Sequence, residues 1–65
     1  MQVVKVAELV GESNKSWQDA VEMAVREASK TYRNISGVEV CNWTANCRNN
    51  EIVEYKANIS IAYVE

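Results

Sequence analysis

The stretch Glu51–Val64, EIVEYKANISIAYV, decides how the chain folds. Val53, Tyr55, Ala57, Ile59, Ile61 and Tyr63 fall on every second position, and Glu54, Lys56, Asn58 and Ser60 alternate with them. Side chains of an extended segment point alternately to opposite faces, so this pattern predicts a long strand with one apolar and one polar face. At about 3.3 Å per residue such a strand exceeds roughly 40 Å. The rest of the chain has to be arranged against it.

Immediately upstream, ISGVEVCNWTAN (residues 35–46) has the same period of two. Val38 and Val40 are expected to point one way and Gly37, Glu39, Cys41 and Trp43 the other. The segment CRNN (residues 47–50) supplies turn residues, so the two strands are expected to pair as an antiparallel hairpin.

From Trp17 the period is different. Trp17, Ala20, Val21, Ala24, Val25, Ala28 and Tyr32 recur at three- and four-residue spacing, which predicts one face of an amphipathic helix running to about Arg33 and roughly 25 Å long. Asp19 and Glu22 lie near its start and Arg26, Lys30 and Arg33 toward its end, an order that suits the helix dipole; Glu22–Arg26 adds an i,i+4 pair. Ser16, three residues before Asp19, reads as an N-cap in a capping-box-like arrangement. The small residues of the stripe imply close packing on a sheet. Before the helix, VVKVAELVGE predicts a first strand at roughly residues 2–10 that stops at Gly11, followed by SNKS as a linker. The expected order is β-α-β-β, an α+β fold in one domain spanning residues 1–65.

Sixty-five residues bury only about 60% of their unfolded surface, so a lone core is marginal. Two cysteines and no apolar leader argue against a disulfide framework, and no apolar run approaches the roughly 20 residues that span a bilayer. A cytoplasmic protein is the expectation. One helix cannot cover so long a sheet, and three strands leave two edges, so self-assembly is expected from geometry as well as size. The net charge of −2 is spread over mixed signs and opposes nucleic-acid binding. With no histidine, the usual triads and most zinc sites lack a base or ligand. No nucleophile–base pair or phosphate loop is present, and an enzyme is not expected. Sequons at Asn34, Asn42 and Asn58 carry no meaning without secretion.

The combination of KVAELVGES, SWQDAVEMAVREASKTYRNISGVEV and YKANISIAYV resembles the dodecin family over almost the whole chain. The resemblance implies a β-α-β-β protomer whose antiparallel sheet partly wraps the helix, and a hollow homododecamer. It also implies flavin pockets at two-fold contacts that store or quench riboflavin or FMN. In the family a tryptophan two residues before the V-E-V glutamate stacks on the flavin ring, and a glutamine after the tyrosine of the last strand hydrogen-bonds its edge. Those positions here are Gly37 and Lys56. Glycine offers no π-face, and lysine donates without accepting. The flavin site is therefore expected to be degraded, with Lys56 paired to Glu39 or Glu54; the alternative is flavin sequestration through a modified pocket in which Lys56 meets a phosphate.

Trp43 lies six residues beyond Gly37, about 20 Å along an extended strand, so it cannot floor the same pocket. It is expected to seal a contact between protomers or to form a different pocket. Cys41 and Cys47 are separated by a similar span, too far for a disulfide, and C-x5-C without histidine is a poor metal signature. Cys41 reads as a packing residue and Cys47 as a turn thiol. The resemblance extends to calcium-associated, flavin-free relatives, for which Glu39, Glu51 and Glu54 would supply oxygen ligands to calcium or another ion only if symmetry gathers them.

Overall fold

The computed structural model describes residues 3–64, as strand β1 (Val4–Ser13), helix α1 (Trp17–Ala28), strand β2 (Ile35–Arg48) and strand β3 (Glu51–Val64). The β-α-β-β order and the antiparallel β2–β3 hairpin are those expected from the alternation. The strand with the most regular pattern takes the centre of the sheet, in the order β1-β3-β2. β1 pairs with β3 from Val4↔Val64 to Ser13↔Tyr55, and β2 from Ile35↔Tyr63 to Arg48↔Glu51. Two 14-residue strands set the elongated shape, 52 × 19 × 13 Å.

The core forms where the two predicted apolar faces meet. Ala57, Ile59 and Ile61 of β3 are buried against Ala20, Ala24 and Ala28 of α1. Alanines at four-residue spacing put almost no side chain between the helix backbone and the sheet. The approach is closest at Gly11. A Cβ added there would stand 2.1 Å from the Ala20 carbonyl oxygen and 2.9 Å from the Ala24 Cβ. Gly11 therefore does not stop β1, as expected from sequence, but lies inside it opposite Ala57, and the strand continues to Ser13. Residue 2, the expected start of the strand, lies outside the described residues.

The start of α1 follows its sequence signals. Ser16 has extended backbone (φ −169°, ψ 164°) and its side chain accepts from the Asp19 N–H at 2.9 Å. The Asp19 carboxylate, too short to close a capping box, instead accepts from the buried Ser13 hydroxyl at 2.6 Å. That hydroxyl also accepts from the Lys15 N–H at 2.9 Å, which pins the β1–α1 connection.

The other end departs from expectation: α1 stops at Ala28, five residues short of Arg33. The Ser29 hydroxyl bonds back to the Arg26 carbonyl at 2.6 Å, and the Thr31 and Tyr32 N–H groups share the Ala28 carbonyl. Asn34 then turns the chain with φ 56°, a conformation asparagine tolerates better than most residues. Tyr32 still faces the core side, but from the turn, with its ring 4.6 Å from that of Tyr63. The expected Glu22–Arg26 pairing is replaced: Gln18 donates to Glu22, Arg26 leans on the Met23 sulfur, and Lys30 pairs with Glu27 at 3.0 Å.

The hairpin turn is also tighter than expected. Cys47 and Arg48 belong to β2, and only Asn49 and Asn50 form the turn, both with positive φ (54° and 66°). That is the two-residue geometry whose twist matches paired strands. No helix among the described residues is long and apolar enough to cross a membrane.

Gly11→Ala is expected to lower stability by about 1–3 kcal/mol or to prevent folding, because backbone must move to admit the methyl group. Gly37→Ala, which enters open space, is expected to stay within about 0.5 kcal/mol of the parent. Thermal and urea denaturation of the two variants side by side checks the contrast.

Candidate functional site

The sheet face turned away from α1 carries the two positions matched to the family's flavin contacts. Gly37 lies opposite Ala62, whose neighbour Ile61 points into the core, so Gly37 is on the outer face. Beyond its two chain neighbours, no atom of the described residues comes within 4 Å of where its Cβ would stand. Lys56 is on the same face, between Glu12 of β1 and Thr44 of β2. Its ammonium is 3.7 Å from the Glu12 carboxylate. The partner is thus the cross-strand neighbour on β1, and neither Glu39 nor Glu54 as the sequence suggested. Glu54 accepts from the Asn46 amide at 2.8 Å, and Glu39 lies opposite Ser60.

Along β3, six residues separate Lys56 from Ala62, the partner of Gly37, a span of about 20 Å. One chain cannot bring both positions to one small ligand. A molecule touching both must lie between two copies.

Trp43 is not where simple alternation places it. The pairing passes from Val40↔Ile59 to Asn42↔Asn58 and Trp43↔Ala57, so Cys41 is an extra residue in β2. Such a bulge inverts the parity of everything beyond it. Cys41 stays on the outer face, with its sulfur 3.7 Å from the Ser60 hydroxyl, while Trp43 turns to the helix side. There it meets Trp17, the first residue of α1, ring centroids 6.4 Å apart and planes at 82°. Trp17 also packs edge-on against Tyr55, at 4.8 Å and 75°, and donates its indole N–H to the Thr44 carbonyl at 2.9 Å. Sequence reasoning had Trp17 only as part of the helix stripe and Trp43 on the wrong face. Nothing in a single-residue pattern marks an inserted residue.

The remaining candidates stay dispersed. Glu51 lies at the hairpin end opposite Arg48, and Glu39 is six positions of β3 away from Glu54, about 20 Å. Among the described residues no three His, Cys, Asp or Glu side chains are grouped to hold a metal ion. Cys41 and Cys47 are both free and exposed.

Comparison with known proteins agrees with this geometry. The dodecin family profile matches residues 3–65. A Thermus thermophilus dodecin structure is 26% identical and superposes with a TM-score of 0.95, covering 100% of this chain and 97% of that one. Dodecin from Streptomyces coelicolor is 23% identical, with a TM-score of 0.95 and coverage of 98% and 91%. A calcium dodecin from Mycobacterium tuberculosis, described as having a novel calcium-binding site, is 23% identical, with a TM-score of 0.84 and coverage of 94% and 87%. The search of curated proteins gave no match. A profile match over almost the entire length, with the same strand order and one short helix laid on the sheet, leads to one conclusion: the chain belongs to the dodecin family.

Proposed function

We propose that this protein is a dodecin-type shell, a homododecamer of single-domain protomers, that has lost the family's flavin site and binds flavin weakly or not at all. The observation that carries the reading is the open space around Gly37, where no other side chain among the described residues stands in for an indole. Base–aromatic stacking is worth about 1–3 kcal/mol per ring, and a flavin presents a larger surface than a base. Lys56 adds to the deficit. Its charge is already partnered by Glu12, and an ammonium cannot supply the paired donor and acceptor of an amide.

Assembly is supported by the outer face of β1. Val4, Val6 and Val10 project from this edge strand with 54%, 64% and 59% of their surface exposed. An apolar stripe beside unpaired backbone groups is the kind of edge a protein covers. The protein acts by binding, with no catalytic group assigned. Glu39, Glu51 and Glu54, dispersed within one protomer, would meet calcium or another cation only where copies adjoin. The second reading, flavin sequestration through a modified pocket, needs Lys56 to exchange Glu12 for a ligand phosphate, and an exposed ion pair worth up to about 1 kcal/mol permits that exchange.

Native mass spectrometry is expected to give a twelve-subunit mass without bound flavin; a monomer or dimer would overturn the assembly. In titrations with FMN or riboflavin, flavin fluorescence is expected to stay unquenched. Saturable quenching near one flavin per protomer would establish the second reading instead. Restoring both contacts with Gly37→Trp and Lys56→Gln is expected to raise flavin affinity by about 5- to 150-fold. A folded, assembled double variant that still ignores flavin would show that the pocket is mapped to the wrong residues.

A further inference from the structure

We propose that the corner between Trp17 and Trp43 is a second, independent binding site, for a neutral planar aromatic molecule of two or three fused rings. The two indoles stand at 82° with their centroids 6.4 Å apart and line a cleft of about 440 Å³. That volume is within the usual range of small-molecule sites. A flat ring laid on one indole presents its edge to the other, so it makes an offset stack and an edge-to-face contact at once, the two arrangements aromatic rings favour.

The corner is built before any ligand arrives. The Trp17 ring is held by its hydrogen bond to the Thr44 carbonyl at 2.9 Å and by its edge contact with Tyr55. Trp43 is aimed at it by the bulge at Cys41, without which the indole would point to the opposite face of the sheet. The Trp17 ring, held in this way, loses little freedom on binding. Trp43 nevertheless keeps 52% of its surface exposed, leaving a face for a guest.

The lining selects the chemistry. Among the described residues the two indoles alone border the cleft, with no charged side chain beside them. A cationic ring finds no carboxylate among the described lining residues, and at an exposed site the indole faces return only about 0.5–1 kcal/mol, or about two- to fivefold in affinity, for its charge. The walls offer the polar edge of a flavin no hydrogen-bond partner, so stacking is all they contribute to it. A neutral fused-ring system loses nothing by entering. This site stands apart from Gly37 and Lys56, on the other face of the sheet, so its test is independent of the flavin reading.

The chain's two tryptophans are the two walls of the corner, and intrinsic tryptophan emission therefore reports on this site. The assembled wild-type protein is titrated with Prodan, a neutral naphthalene fluorophore, following blue-shifted Prodan emission and tryptophan quenching together. Both are expected to saturate at the same probe concentration. Trp43→Ala is expected to weaken binding by about tenfold or more and Trp43→Phe to retain most of it. Circular dichroism and native mass identify a variant that has lost its fold or assembly, and in that case Trp43→Phe and competition by neutral quinoline decide. Prodan binding that leaves tryptophan emission unquenched, or tighter binding of N-methylquinolinium than of quinoline, overturns the proposal. Tryptophan emission shielded from acrylamide in the probe-free assembly also overturns it, because a second copy then fills the corner.

Discussion

The contact between the helix backbone and Gly11 is the constraint on which the protomer depends. Because the Ala20 carbonyl rests on a residue without a side chain, α1 lies against β1 at backbone distance and only alanines fit beneath it. Two consequences follow from so thin an interface. The core is small, with Ile59 and Ile61 its largest fully buried side chains. The 12-residue helix, about 18 Å long, also covers less than half of strands that run roughly 46 Å. What the helix leaves bare is where this protein has surface to offer, on the outer face of β1 and along the overhanging hairpin.

Most of the protomer can be read from periodicity. The alternation from Val53 to Tyr63 identified the core face of β3, and the three- and four-residue spacing from Trp17 identified the buried stripe of α1. Both patterns record repeated burial, and burial is what selects residue type at each position. Where the reading failed, the decisive physics was local and left no repeat. The helix was expected to reach Arg33 because Tyr32 keeps the spacing, yet Tyr32 packs on Tyr63 from a turn. Gly11 looked like a strand terminator, since in sequence a glycine that ends a strand cannot be told from one that receives a helix. Lys56 was matched with acids on its own hairpin, because the identity of its neighbour on β1 depends on a register that no local pattern contains.

The candidate site divides in the same way. That Gly37 offers no ring is plain from the letter itself, and the structure adds that nothing fills the space around it. That Trp43 meets Trp17 could not be read, because the pairing rests on one unpaired residue in β2. The two faces of the sheet consequently differ in kind. One carries a glycine standing in open space, and the other an aromatic pair assembled from two separate elements.

That unpaired residue also bears on how such a protein diverges. In a long strand with two unlike faces, substitution alters one side chain in place, whereas gaining or losing a residue exchanges inside for outside along the remaining length unless a bulge absorbs it. Removing Cys41 would straighten β2 and leave Trp43 and Ala45 on the helix side, whereas flattening the bulge with Cys41 retained would carry both outward. The bulge at Cys41 absorbs one residue in this way and keeps the faces beyond it in place. A relative without the extra residue, aligned here without a gap, matches letters whose side chains occupy opposite sides of the wall.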